Sequence, residues 1–197
     1  MLKNNIQSIY DKTIKLSSNK KSWKVISIIS FFESIIFPIP TDLFLIPMII
    51  ADKSKALFLI LVAVIFSVAG GVLGYIIGFF FWETVSQYFY ILYPSFEINF
   101  NNFKNIFNSY GWLFVLIGGF TPFPYKIITI SSGILELNIF LFIIFSLISR
   151  FMRFFLVGFI IFKYGESTKK VIDKYFNAIT LITIILIICY FFLKDEI

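Results

Sequence analysis

Histidine is absent from these 197 residues, and cysteine occurs once, as Cys189. A zinc site takes about three or four His, Cys or carboxylate ligands, and haem ordinarily takes a histidine. No metal site and no cofactor is therefore expected. A Ser-His-Asp or Cys-His triad is excluded outright, and no other nucleophile–base pair is visible, so the chain is not expected to be an enzyme. One cysteine forms no disulfide within the chain. Charge is also scarce, at 14% of residues against about 25% in soluble domains.

What fills the space is apolar. Hydrophobic residues make up 59% of the chain and mean hydropathy is +0.91. This composition predicts an all-α integral membrane protein. Phe, Ile, Asn and Lys are all abundant, as an AT-rich genome would give, so none of the 28 phenylalanines marks a site by itself. The net charge of +6 comes from the polar ends and suits an anionic membrane surface, not nucleic acid.

Residues 1–24 carry Lys3, Lys12, Lys15, Lys20, Lys21 and Lys24 against Asp11, with Ile6, Ile9, Tyr10 and Ile14 at roughly helical spacing. They read as a basic, interfacial, cytoplasmic segment. A single membrane domain, 25–193, follows. Its first apolar run, 25–55, holds Glu33, Asp42, Pro38, Pro40 and Pro47. A charge at mid-bilayer costs about 3 kcal/mol on insertion scales, and an interior proline is expected to break a helix. Residues 56–82 carry no charge and are long enough to span, with Gly70, Gly74 and Gly78 four apart for close helix packing. The stretch 83–110 is polar, with Phe100, Phe103, Phe107 and Tyr110 on one face. It reads as an external amphipathic segment stopped by Gly111. A second interrupted run, 111–136, contains Pro122, Pro124 and Lys126; a spanning helix, 137–162, contains Arg150 and Arg153. A polar cytoplasmic loop, 163–175, and a last spanning helix, 176–193, complete the chain.

Shifting the chain by 84 residues superposes its halves. Pro38 and Pro40 fall on Pro122 and Pro124, and Gly74 falls on Gly158. Broken apolar segments at matching positions of two halves point to a transporter's binding site. Lysine placement fixes the topology: 83–110 holds Lys104 alone, whereas 163–175 holds Lys163, Lys169, Lys170 and Lys174. Cytoplasmic loops are rich in Lys and Arg. The broken runs are therefore expected to be re-entrant hairpins, each followed by a transmembrane helix and inverted relative to one another. The same alignment sets Asp42 opposite Lys126, so these two are expected to meet where the tips face a polar cavity. Arg150 and Arg153 share a helix face. They lie about 18 and 14 Å from Phe162, either snorkelling to the surface or forming a phosphate-binding pair.

Glu33, the Pro38-x-Pro40-x-Asp42 stretch and Gly70-Gly71-x-x-Gly74-Tyr75 resemble the DedA superfamily, also called the SNARE-associated or VTT-domain family. Gly119-Phe120-Thr121-Pro122-x-Pro124-Tyr125-Lys126 and Arg150-x-x-Arg153-Phe154 resemble its YqaA branch. The resemblance covers roughly residues 25–165 and implies facing re-entrant helices with translocation or scrambling of lipids. Its partners would be membrane lipids, with polyprenyl phosphate as one candidate and protons as the coupling ion; a homo-oligomer is compatible with it. Members carry acidic residues that map onto Glu33 and Asp42, and two arginines near the second proline motif. Here that motif has Gly118-Gly119 and Lys126 instead. The expected function is lipid or lipid-phosphate translocation in a bacterial inner membrane, through Glu33, Asp42, Lys126, Arg150 and Arg153. A small-solute or ion transporter and a non-transporting scaffold are the alternatives.

Overall fold

A computed structural model describes residues 22–36, 40–121 and 123–164. Pro38, Pro122, the basic segment 1–21 and the expected last spanning helix lie outside the described residues.

The described chain is all-α, with six α-helices: α1 Ser22–Glu33, α2 Asp42–Ala51, α3 Ala56–Leu92, α4 Pro94–Phe120, α5 Tyr125–Ile134 and α6 Ile139–Tyr164. A 3-10 turn, Lys53–Lys55, joins α2 to α3. Local chemistry sets the boundaries. Pro40 precedes α2 and Pro124 precedes α5, because a proline disfavours helical geometry in the residue before it. Asp52 ends α2 and accepts the Ser54 backbone N–H. Pro94 sits at the first position of α4, where its missing N–H costs nothing. Asn138 caps α6 by accepting the N–H groups of Phe140 and Leu141.

Three sequence expectations change. Pro47 lies inside α2 without ending it. It stands one turn from the helix start, so the lost hydrogen bond falls in the first turn of a short helix. Gly111 does not stop a helix; α4 runs through it to Phe120. A Cβ there would press on the Phe107 ring and Leu137, so the glycine serves close packing. The stretch 83–110 is not a separate surface segment. Its first part continues α3 to Leu92 and its remainder opens α4. Phe107 is buried and Phe100 packs against the same core, while Phe103 and Tyr110 remain exposed.

Chain direction follows from the contacts. α3 and α6 are antiparallel: the Tyr75 and Phe142 rings meet tilted at 5.4 Å, Ser67 meets Arg150, and Ile60 lies beside Gly158. α1 runs along α3, with Ser30 Oγ donating to the Ala63 carbonyl at 2.6 Å and Ser34 Oγ 2.9 Å from Ser67 Oγ. α2 doubles back along α6, from Asp42 at Arg153 to Ile49 beside Gly158. The second pair does the same with the partners exchanged. The end of α4 runs along α6, where the Trp112 ring packs at a tilt against Phe145 and Gly119 lies beside Ser149. α5 then doubles back along α3, with Tyr125 beside Gly71 and Thr129 beside Gly74.

Two cores result, one around Leu45, Ile49, Leu59 and Ala63, the other around Val115, Leu137 and Phe142. The stretches Lys53–Leu92 and Ile139–Tyr164 are long and apolar enough to cross a membrane. Their outer faces expose Leu57, Ile65, Phe80, Phe140, Ile144 and Phe159. A continuous apolar surface of this kind calls for an apolar solvent or a partner.

Candidate functional site

The breaks before α2 and α5 come together halfway along α6. Arg150 stands 11 residues from Ile139 and 14 from Tyr164, about 17 and 21 Å from the two helix ends. Two buried ion pairs occupy this level. Arg150 Nη2 donates to Glu33 Oε2 at 2.7 Å, and Arg153 Nη2 to Asp42 Oδ2 at 2.6 Å.

Each pair is built into a larger set of hydrogen bonds. Arg150 Nε donates to Ser67 Oγ at 2.7 Å, which in turn meets Ser34. The Arg150 guanidinium is fully buried between the rings of Tyr125 and Phe154, with centroids 4.3 and 5.0 Å away. Thr41 Oγ1 donates to Glu33 Oε2 at 2.8 Å, so the break before α2 also holds this carboxylate. Arg153 Nε makes a second bond to Asp42 Oδ2 at 3.1 Å, and its Nη1 reaches the Thr121 carbonyl at 2.6 Å. A planar fork suits this role, since it can engage a carboxylate and a carbonyl together. Arg153 thus ties the start of α2 to the end of α4.

The four charges sum to zero. Removing one member of a buried pair strands its partner, at about 3–5 kcal/mol. Two polar atoms of the cluster, Asp42 Oδ1 and Arg150 Nη1, are buried without a hydrogen-bond partner among the described residues.

Of the five charged residues expected at the site, four meet here. Lys126 does not pair with Asp42. Its ammonium lies 3.3 Å from the Ile36 carbonyl, just beyond α1, where a cation complements the carbonyl end of a helix. Asp42 faces α6 and takes Arg153 instead. The arginines do not snorkel, because their helix face is the one covered by α2, α3 and α4. Pro40 and Pro124 stand at the two breaks, and their carbonyls accept the N–H groups of Leu43 and Ile127.

Gly70, Gly74 and Gly78 all lie at helix crossings. A Cβ would strike the Phe31 carbonyl, the Thr129 side chain and the Ile130 carbonyl respectively. Ser34, Thr41 and Ser67 carry no motif in the sequence, and Tyr125 enters there only within the Pro124-Tyr125-Lys126 resemblance. One available signal was the spacing of Ser27, Ser30 and Ser34, which lines one buried side of α1 and the turn after it with hydroxyls.

No family model and no solved structure matches the chain. Two curated proteins do. An uncharacterized protein of Haemophilus influenzae is 33% identical over 189 residues, covering 95% of this chain and 97% of its own length. An uncharacterized protein HI0703 homolog of Histophilus somni is 32% identical over 191 residues, with the same two coverages. The chain belongs to the family of these Haemophilus influenzae and Histophilus somni proteins.

Proposed function

We propose that this is an integral protein of a bacterial inner membrane that moves lipids or lipid phosphates between leaflets. One observation carries the reading: two doubled-back helix pairs, approaching from opposite ends, meet at a buried, charge-balanced cluster halfway along a membrane-length helix. In a bilayer, α1–α2 and α4–α5 are re-entrant hairpins and the two halves form an inverted repeat. Irregular backbone at such depth is tolerated where protein buries it or a polar cavity lines it. Broken helices at the midplane, with their ends directed at charge, are the usual construction of a transporter site. The basic N-terminal segment lies on the cytoplasmic side by the distribution of lysine.

The cluster offers matched chemistry for a lipid phosphate. Both arginines are held by carboxylates, so an entering anion would exchange with Glu33 or Asp42, and a proton on the displaced carboxylate would keep the site neutral. The likeness to the DedA superfamily supports the same substrate class. Purified protein in vesicles should speed transbilayer movement of a labelled lipid or polyprenyl phosphate, and Asp42→Asn should slow it about tenfold or more. A rate equal to that of protein-free vesicles overturns the proposal. So does full activity when Asp42→Asn is combined with Arg153→Gln.

A further inference from the structure

A second polar site lies far from the tips. A cavity of about 280 Å³ opens between the last third of α3, the first part of α4 and the turn before α6. Its walls are Trp82, Tyr90 and Phe100, and its charged groups are Glu83, Lys104 and Glu136. Lys104 pairs with Glu136 at 2.7 Å. Glu83 makes no ion pair among the described residues, so the lining carries one uncompensated negative charge. The rings form a continuous aromatic wall, with Trp82 and Phe100 centroids 4.4 Å apart and Trp82 and Tyr90 edge-on at 6.4 Å. Aromatic faces beside a carboxylate recognise alkylammonium groups.

Glu136 shows that a carboxylate is held at this position against local preference. It adopts φ 53° at the C-terminus of α5, where Leu137 N–H bonds to Ser132 and Glu136 N–H to Gly133. Glycine is the usual residue at such a helix end, and a side chain there costs about 1–2 kcal/mol.

Depth indicates the source of the ligand. Glu83 lies about 20 Å along α3 from Gly70, which sits near the level of the charge cluster. If that cluster marks the bilayer centre, Glu83 falls about 5 Å beyond the hydrocarbon edge, among the head groups. An aromatic belt accounts for Trp82 and Tyr90 at this depth. It does not account for a half-open cavity that holds a carboxylate with no ion pair among the described residues. The volume lies just under the roughly 300–1,000 Å³ of pockets that enclose a whole small ligand. It suits a head group whose acyl chains stay in the bilayer.

We infer that this cavity binds the alkylammonium head group of a membrane phospholipid, with the ammonium between Glu83 and the rings of Trp82 and Tyr90. The inference rests on the membrane reading above but not on translocation.

The full chain in detergent micelles, carrying Trp23→Phe and Trp112→Phe, leaves Trp82 as its only tryptophan. Its fluorescence should change saturably with short-chain phosphatidylethanolamine, more weakly with soluble phosphoethanolamine, and not with short-chain phosphatidylglycerol. Glu83→Gln in the same background should weaken phosphatidylethanolamine binding about tenfold or more, and Glu83→Asp should restore most of it. No saturable response to the amine lipid, an equal response to phosphatidylglycerol, or unchanged affinity in Glu83→Gln overturns the inference. Saturation by soluble phosphoethanolamine alone overturns the lipid assignment. Micelles have no leaflets to cross, so failure here leaves the transport reading standing, and failed transport leaves this binding measurable.

Discussion

Two helix interfaces occupy equivalent positions in the two halves and are held by different physics. α2 lies on α6 through charge: Asp42 against Arg153, with Glu33 on Arg150 beside it. α5 lies on α3 through absence of side chain: Gly71 against Tyr125, Gly74 against Thr129, Gly78 against the Ile130 carbonyl, and Gly133 against the Tyr75 carbonyl. The scaffold repeats, but the chemistry does not. Within the charge cluster the carboxylates come from the first hairpin and the arginines from α6; the positions of α3 that align with Arg150 and Arg153 are Phe66 and Ala69. Symmetric backbones therefore do not oblige symmetric sites. The first interface adds two ion pairs to apolar packing, and the second rests on backbones in close approach.

The largest effect should come from breaking the charged interface on one side. Arg150→Met should cost roughly 3 kcal/mol, since the largely buried Glu33 loses its cation and keeps only the Thr41 hydroxyl. Adding Glu33→Leu should recover most of that loss. Denaturant titration of the purified proteins checks both. A double variant as unstable as the single would show that the cluster holds by packing, and the contrast between the interfaces would fail. The steric interface should answer next. Alanine normally stabilises a helix relative to glycine by about 1 kcal/mol. Gly78→Ala and Gly133→Ala should instead destabilise by about 1–3 kcal/mol, because each Cβ meets a backbone carbonyl. Unchanged or raised melting temperatures would mean that α5 can move away from α3.

The turns that close the two hairpins sharpen the comparison at smaller scale. After α5, Glu136 is strained and half exposed, so Glu136→Gly should stabilise by roughly 0.5–1 kcal/mol: relief of the backbone outweighs a surface pair worth about 0–1. A lower melting temperature would show the pair with Lys104 to be the stronger term. After α2, the matching turn is unstrained, and Lys55 and Ser54 hold the Asp52 carboxyl below its ordinary 3.8. A depressed carboxylate stabilises above the unfolded pKa and loses this effect as pH falls through the folded one. The small advantage of the wild type over Asp52→Asn should therefore be present at neutral pH and be lost as the pH falls below the ordinary carboxyl value of 3.8 and through the lowered folded one. An advantage that persists in acid would assign it to something other than the charge.

Much of the frame could be read from the sequence because it depends on local chemistry. Pro40 and Pro124 marked the breaks, and the spacing of Gly70, Gly74 and Gly78 marked a packed face. The pairing of charges could not be read the same way. An 84-residue offset identifies equivalent positions, and equivalent positions need not touch. α2 packs on α6, not on its counterpart α5, so Asp42 meets Arg153 and not Lys126. Helix length was misread where polar residues suggested a surface segment. Glu83, Thr84, Ser86 and Gln87 are compatible with a helix, and nothing before Pro94 interrupts α3. The buried face of α6 was hidden for a different reason. Where nearly every residue is apolar, hydrophobic periodicity no longer separates an inner face from an outer one: Phe142, Phe154 and Ile161 are buried, while Phe140, Phe155 and Phe159 are exposed, and Ser146, Ser149, Arg150 and Arg153 are the polar residues that mark the inner face.

The distance along the chain between the paired charges has a consequence for biosynthesis. Glu33 lies 117 residues before Arg150, and Asp42 lies 111 before Arg153. At about 5–20 residues per second, the ribosome delivers the arginines roughly 6–23 s after the carboxylates. During that interval Glu33 and Asp42 lack the arginines that pair with them in the folded protein. The final packing of α1 and α2 therefore waits for α6, the last-synthesised of the described helices.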